Sequence, residues 1–432
     1  MNDMSRRVLP PVSDEADEPQ RPRPRTAPFG VLDIGTTKIT CLIGRTESDG
    51  TPRVLGFGWH KGRGVRGGGI VDLDAAERAI RACVGQAEDM ADTRLNSVTI
   101  NLSCGQPASR LFNVQWPVGG RAVDDEDVRR VVHEGRARAL IEGREIIHAL
   151  PLAFSVDDIH GVTDPRGLHC ATLIARLHVV DAAVTALRSL GACIARCDLD
   201  IGELVAAPMA AGLSTLVADE RELGVTVIDM GGGTTGLAVF AEGQLLHTAQ
   251  LPLGGVHVTN DLARLLSTPV AHAERLKTLY GNVAACADDD REMLPVPMVG
   301  EDEHQIAKVP RSMVANIIRP RLEETFELVK ERIESSGLAR IAGARVVLTG
   351  GAALLGGAGE MAARILGKQV RIGRPHELRG LPDSASGPAF ATAAGLLSWT
   401  AGEGRTMHDL DLEAEQPTGL FRRLVDFLKE RV

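Results

Sequence analysis

The sequence predicts an α/β fold made of two related sheet domains. Three observations carry that prediction. From Phe29 to about Trp399, strand-like and helix-like segments alternate along the chain. Two similar strand–turn–strand stretches, GVLDIGTTKITCLIG (30–44) and VIDMGGGTTGLAVF (227–240), lie about 200 residues apart, with Asp33 matching Asp229 and Gly35 matching Gly231. A third Val/Leu strand, in RVVLTGGAALLGG (345–357), also runs straight into glycines. A repeated hairpin in an alternating pattern points to a duplicated domain.

The segments follow in order. Residues 1–27 hold five prolines, five basic and five acidic side chains; they bury too little to order and read as a disordered tail. The glycine run GRGVRGGG (62–69) contains a GxGxxG spacing, but without a nucleotide-binding context it reads as a mobile loop. Residues 72–91 carry apolar side chains at three- and four-residue spacing, with Asp72 or Asp74 as N-cap. Residues 124–141 begin with acids, which suit the positive end of a helix dipole. Residues 312–335 form a long helical candidate, broken near Pro320, and a further helix starts at about Gly359. His257 and His272 read as helix-surface residues, and Trp59, Trp116 and Trp399 as packing groups. The acidic, polar stretch 402–418 reads as a linker to a final apolar segment, GLFRRLVDFLKERV (419–432).

Composition excludes several classes. A net charge of -9 argues against general nucleic-acid binding, and only 3% aromatic residues, with Tyr280 the one tyrosine, argues against base or sugar stacking. No run of 18 apolar residues offers a membrane span, and the N-terminus lacks the apolar core of a signal peptide. The seven cysteines form no CxxC pair and read as buried thiols of a reducing compartment; Cys193 and Cys197 stand four apart without a second pair, so no zinc site is assigned.

The glycine-threonine turns point to phosphate chemistry. A phosphate chain needs many donors at short range, and backbone N–H groups provide them only where side chains stay clear. The aspartate that opens each turn cannot face phosphate directly; it can hold Mg²⁺ through water or orient a water. Two such turns facing each other would clamp a triphosphate, and GGAALLGG would offer a bare surface to the nucleoside. No GxxxxGK[ST] loop is present.

This ordered set of motifs resembles the actin–Hsp70–sugar kinase superfamily. Within it, GRGVRGGGIVDLDAAERAIRACVGQAEDMA, ELGVTVIDMGGGTTGLAVF, LPLGGVHVTNDLA, VVLTGGAALLGG and VRIGRP are similar to the bacterial cell-division family FtsA, over roughly residues 28–400 and the C-terminal tip. The resemblance implies an actin-like two-lobed ATPase fold in which a subdomain 1C replaces subdomain 1B. It implies subdomain 1A at 28–104 and 185–212, 1C at 105–184, 2A at 213–256 and 325–401, and 2B at 257–324. It implies that ATP is held by Asp33, Gly35, Thr36, Thr37 and Lys38, by Asp229, Gly231, Gly232, Gly233, Thr234 and Thr235, and by Gly350, Gly351 and Ala352, with Mg²⁺ at Asp33 and Asp229. It implies self-assembly into a filament, binding of the FtsZ C-terminal tail through 2B, with Arg321 where the family has a peptide-associated arginine, and further division partners on 1C. Arg321 as an ordinary solvated helix residue stays open beside that role.

Two positions depart from the superfamily pattern. Ala207 stands before Pro208 where many members have glutamate, and Gly236 stands where the second turn usually ends in aspartate. Both losses remove carboxylates, so ATP is expected mainly as a structural and switching ligand, with hydrolysis weak or absent.

In the last segment, Leu420, Phe421, Leu424, Val425, Phe427, Leu428 and Val432 fall within one arc of about 160° on a helical wheel. A helix of this length, about 20 Å, is too short to span lipid and suits the interface at the inner face of the cell membrane. Partial burial of seven such groups gives on the order of 6–10 kcal/mol gross, and ordering a lone short helix takes several of those. One copy would attach marginally; a filament of many copies would attach firmly. A small-molecule kinase of the same superfamily and another actin-like scaffold, for cell shape or pilus assembly, are the alternative readings.

Overall fold

A computed structural model of the chain describes residues 27–284, 290–301, 306–376 and 378–402. The first lobe opens with β1 (Phe29–Ile34), β2 (Lys38–Thr46) and β3 (Pro52–Lys61), then a small hairpin of β4 (Val65–Arg66) and β5 (Gly69–Ile70), helix α1 (Leu73–Ala91) and strand β6 (Ser97–Leu102). An inserted unit follows: β7 (Ala108–Pro117), α2 (Asp125–Ala139), β8 (Arg144–Val156), β9 (Ile159–Val162) and β10 (Thr172–Ala183). The chain returns to the first lobe through α3 (Val184–Ala195), β11 (Asp200–Ala206) and α4 (Ala207–Thr215). The second lobe has α5 (Ala218–Leu223), β12 (Val225–Met230), β13 (Thr235–Ala241) and β14 (Gln244–Leu251), then α6 (Gly255–Leu265), α7 (Val270–Tyr280), β15 (Met293–Pro297), β16 (Ile306–Pro310) and α8 (Arg311–Ser335). It closes with β17 (Arg345–Thr349), a 3₁₀ turn (Gly351–Leu354), α9 (Ala358–Leu366), β18 (Gln369–Ile372) and α10 (Ala391–Ala401).

The two five-stranded sheets share one topology, β11-β6-β1-β2-β3 and β18-β17-β12-β13-β14. In each, the first strand pairs antiparallel with the next and parallel with a later strand: β1 with β2 and β6, β12 with β13 and β17. The duplication read from the two hairpins therefore extends to whole sheets. Their central strands are Val/Ile/Leu runs buried on both faces, as helix-covered sheets require. Helix α1 lies directly on β3, where a Cβ added at Gly58 would stand 2.0 Å from the Cys83 carbonyl oxygen. The insert forms its own sheet, β7-β10-β8-β9, over a core of Val114, Val131, Phe154 and Leu177.

Helix caps follow the acids seen in the sequence. Asp72 caps α1 by accepting from the Ala75 N–H at 3.0 Å, and Asp124 and Asp127 cap α2 reciprocally. The six described cysteines are buried free thiols.

Between the lobes, α4 and α10 cross. A Cβ on Gly395 would lie 1.7 Å from the Ala210 carbonyl oxygen, so the helices meet backbone to backbone. Around this crossing one cluster draws Val31 and Leu42 from the first lobe and Val225, Val227 and Val347 from the second, with Trp399 buried at its edge. The crossing is where the two lobes join, the pivot about which any relative turn of the lobes would run.

Three expectations are corrected. Helix α8 runs unbroken through Pro320, because Val314, Ile318, Leu322, Phe326, Val329 and Ile333 anchor both halves in the second-lobe core; packing overrides the lost N–H and the local clash. The glycine stretch is not all loop: residues 65–70 form the β4–β5 hairpin, whose Gly67 and Gly68 both have positive φ. Such a two-residue turn matches the twist of its strands and needs glycine. Trp59 is not a packing group: it sits 53% exposed on β3, an edge strand of the first sheet.

The tail residues 1–26 and the linker and final segment from 403 onward, including Leu420, Phe421, Leu424, Phe427, Leu428 and Val432, lie outside the described residues. Among the described residues no helix is long and apolar enough to cross a membrane.

Candidate functional site

The two matched turns meet across the cleft above the pivot. Each is closed by the same backbone bond, Gly35 N–H to the Lys38 carbonyl and Gly231 N–H to the Thr234 carbonyl, both 2.9 Å. Glycine suits the head of each turn: a Cβ at Gly35 would stand 2.6 Å from the Lys38 oxygen, closer than real contacts allow, and one at Gly231 a tight 3.0 Å from the Thr234 oxygen. The start of α6 clasps the second turn from behind: Gly255 and Val256 donate to the Gly231 and Gly232 carbonyls at 3.0 and 2.8 Å. That pairing explains the LPLGG sequence before α6.

The turns touch. A Cβ at Gly232 would fall 2.6 Å from Thr37 Cγ2 and one at Gly233 2.3 Å from Thr36 Oγ1, so threonines of one lobe rest on bare backbone of the other. Asp33, Gly35, Thr36, Thr37, Lys38, Asp229, Gly231, Gly232, Gly233, Thr234, Gly350 and Gly351 line a single cavity of about 160 Å³. Ligand pockets usually measure about 300–1,000 Å³, so the cavity as it stands is smaller than a typical ligand site. Two expected residues stand outside the lining. Thr235 is buried in β13 and its hydroxyl donates to the Leu253 carbonyl at 2.8 Å; Ala352 packs toward the second-lobe core. At Gly350, φ is 86°, and a Cβ would meet the Met230 carbonyl oxygen at 2.4 Å. The third strand thus docks tightly behind Asp229.

The charged groups are buried together. Burial pushes the Asp33 carboxyl up to about 7, with Lys38 opposing and Asp229 adding to the rise. Burial raises Asp229 to about 6 against the Thr392 hydroxyl bond and Lys38. Burial lowers Lys38 to about 8 against the pull of both aspartates. Two desolvated carboxylates and one lysine leave room for a cation, and Asp33 and Asp229 fit a hard divalent ion that takes its remaining ligands from water and phosphate. Lys38 donates to the Ala389 carbonyl and lies 3.2 Å from the centre of the Phe390 ring.

Several lining residues escaped the sequence reading. Asn101 Oδ1 accepts the Ile34 N–H at 2.7 Å and its amide donates to Ser103 at 3.2 Å, so the end of β6 braces the first turn. Thr392 at the start of α10 donates to Asp229 at 3.0 Å. Gly68, at the β4–β5 tip, also lines the cavity, as do Pro388 and Ala389. Only the polar end of an apolar strand, INLS, could have signalled Asn101 and Ser103. Ala207 lines the cavity without a carboxylate, and a Cβ at Gly236 would press within 2.3 Å of Pro208 Cγ.

Away from the cleft, Arg321 on α8 grips Asp261 on α6 through Nε at 2.6 Å and through a terminal nitrogen at 3.1 Å, and reaches Glu324 at 2.5 Å. It is about a quarter exposed, so this fork is a structural clamp with one open side.

Comparison with known proteins matches these features. Residues 226–395 fit the family described as cell division protein FtsA, and residues 105–181 fit the SHS2 domain inserted in FtsA. The chain is 44% identical to cell division protein FtsA of Agrobacterium fabrum (strain C58) over 397 residues, covering 89% of this chain and 88% of that protein. It is 45% identical to FtsA of Rhizobium meliloti (87% and 88% covered) and 34% identical to FtsA of Escherichia coli K12 (89% and 91%). Among solved structures, the PilM-PilN type IV pilus biogenesis complex aligns with TM-score 0.62 at 18% identity, covering 86% of this chain and 98% of that one. MreB5 of Spiroplasma citri bound to ADP aligns with TM-score 0.51 at 15% identity (86% and 95%). At such identities the structural likeness speaks for the fold alone, which is actin-like.

Proposed function

The chain belongs to the FtsA family of cell-division proteins, and from that premise we propose that it is an ATP-binding, self-assembling adaptor that tethers FtsZ filaments to the inner face of the cell membrane. The observation that carries the nucleotide part is the matched pair of glycine turns, one from each lobe, converging on two buried aspartates. In this reading the bare backbone of Gly35, Gly231, Gly232 and Gly233 binds the phosphates, Thr36, Thr37 and Thr234 add hydroxyls, and Asp33 and Asp229 hold Mg²⁺. Mg²⁺ supplies charge neutralisation of the phosphate chain. Lys38 turns from the Ala389 carbonyl toward phosphate. Gly350 and Gly351 present a flat surface to the nucleoside.

Binding without efficient turnover is supported at two positions. Ala207 puts no carboxylate into the cavity, and Pro208 fills the space that an aspartate at Gly236 would need. The small-molecule kinase reading lacks a support of this kind, since a kinase needs a base aimed at a hydroxyl.

The tether is proposed for residues 419–432, the FtsZ tail for the 257–324 region around Arg321, further division partners for 105–184, and the location for the cytoplasmic side of the membrane at the division site. Arg321 can serve a peptide carboxylate only from the open side of its clamp on Asp261. Co-sedimentation with vesicles containing anionic lipid, with and without Mg²⁺-ATP and an FtsZ tail peptide, tests the reading. The full chain should pellet with vesicles and the 1–418 truncation should not. Equal pelleting of the two would remove the tether, and calorimetry without any ATP signal would remove the nucleotide.

A further inference from the structure

We propose that His148 is the positioning residue through which the inserted unit reads the opening of the cleft. The inference rests on the nucleotide reading above and adds a route from the cleft to the insert.

Strand β8 is the only strand of the insert, among the described residues, whose apolar side chains join the cores of both lobes. Ile147 packs against the first-lobe core. Leu150 packs against the shared cluster around the α4–α10 crossing. Leu152 joins Ala241, Leu246 and Leu338 of the second lobe in a separate small cluster. The opposite side of the same strand, with Ile146, Phe154 and Val156, belongs to the insert's own core. One strand therefore lies along both lobes and the pivot. A rotation of one lobe against the other must slide, tilt or strain it, since packed cores do not deform continuously.

His148 pins that strand to the pivot. It is 5% exposed. Its Nε2 accepts the Ala206 N–H at 3.1 Å, immediately before α4, and the next residue, Ala207, lines the cleft. Its ring packs edge-on against Trp399 of α10, with ring centres 5.9 Å apart. Trp399 in turn donates from Nε1 to Glu203 of β11 at 2.6 Å, and the other end of α10 holds Asp229 through Thr392. A single imidazole thus touches α10 and the residue that leads into α4, and each of these helices reaches the aspartate cavity within one element. Helix α4 begins without a side-chain cap, so His148 satisfies the backbone donor at the strand–helix junction from outside.

The contact has something to report once the cleft opens from this closed form. With the lobes parted for nucleotide, α4 and α10 shift about their crossing, and His148 carries the shift into β8 and its partner β10. Coupling of this kind needs a demonstrated response at the far site.

Hydrogen–deuterium exchange of the full chain provides the test, with Mg²⁺-ATP and without. In the wild type, nucleotide should change amide exchange in β8 and β10 by at least about threefold. His148→Leu keeps the volume and removes the acceptor. It should still bind ATP by calorimetry while the response of β8 and β10 falls by more than half. His148→Gln, which restores an acceptor, should recover most of it, a rescue that a packing role would not produce. Leu152→Ala, at the second-lobe end of the strand, should blunt the response independently and serves if His148→Leu does not fold. ATP binding with silent β8 and β10 in the wild type overturns this inference alone, as does an undiminished response in His148→Leu. Absence of ATP binding in the wild type overturns the nucleotide reading and this inference with it.

Discussion

At the scale of single residues, the cleft is dominated by charge removed from water. The Asp33 carboxyl titrates near 3.8 in an unfolded chain and at about 7 when buried here. The folded protein holds this proton longer, so Asp33 lowers stability progressively as pH rises from about 4 to about 7. Asp33→Asn should therefore raise stability at pH 8, without nucleotide or Mg²⁺, by about 1–2 kcal/mol, and should abolish Mg²⁺-dependent ATP binding. Chemical denaturation across pH checks the first part; a less stable variant at pH 8 would contradict the assignment. His178 on β10 works in the opposite sense. Burial drives it from 6.5 down to about 3, and its Nε2 meets the Ser109 hydroxyl at 2.5 Å. The unfolded chain takes up this proton first, so stability falls with acidification below about 6.5, at a limiting slope of about 1.4 kcal/mol per pH unit. Denaturation midpoints of His178→Gln should show a shallower acid limb than the wild type.

At the scale of elements, backbone proximity decides what the sequence tolerates. The α4–α10 crossing has no space for a methyl group at Gly395, where the obstacle is the Ala210 carbonyl rather than a movable side chain. Gly395→Ala should cost about 3 kcal/mol or more, read by urea denaturation, whereas Gly191→Ala on α3, where a Cβ meets nothing within 4 Å, should be close to neutral or stabilising. The two phosphate-type turns follow the same rule in different degree: Gly35 leaves no space for a Cβ, and Gly231 leaves only a tight one. Helix α8 shows the converse. Pro320 marks a helix end by local rules, yet buried side chains on both sides of it hold the helix together. Local chemistry was legible where the backbone itself was constrained and misleading where distant packing overruled it.

At the scale of the whole molecule, two lobes of equal topology close on a cavity smaller than a typical ligand site, so the proposed nucleotide binding requires the lobes to rotate apart. Nucleotide-dependent assembly follows if the rotated form is the one that stacks. Removal of residues 419–432 should then leave ATP binding unchanged and lower vesicle attachment at least about tenfold, because many weakly attached copies act together. Vesicle flotation of assembled and unassembled protein measures it. Attachment that does not depend on assembly would contradict the multivalent account.

The sequence by itself determined the paired turns, their aspartates, the strand that runs into Gly350, and the acidic helix starts at Asp72 or Asp74 and from Asp124 on. Each is a local statement about backbone approach or capping, and residue type records it directly. Only the tertiary structure decided what completes the cleft. Asn101 reaches Ile34 across 67 residues and Thr392 reaches Asp229 across 163, distances over which no spacing rule operates. It also decided that the glycine hairpin at 65–70 borders the cavity, that Trp59 faces solvent, and that His148 sits on the pivot. The physical reason is common to all of these: contacts between segments far apart in the chain are fixed by how whole sheets and helices stack, and a single position in the chain carries no local trace of its partner.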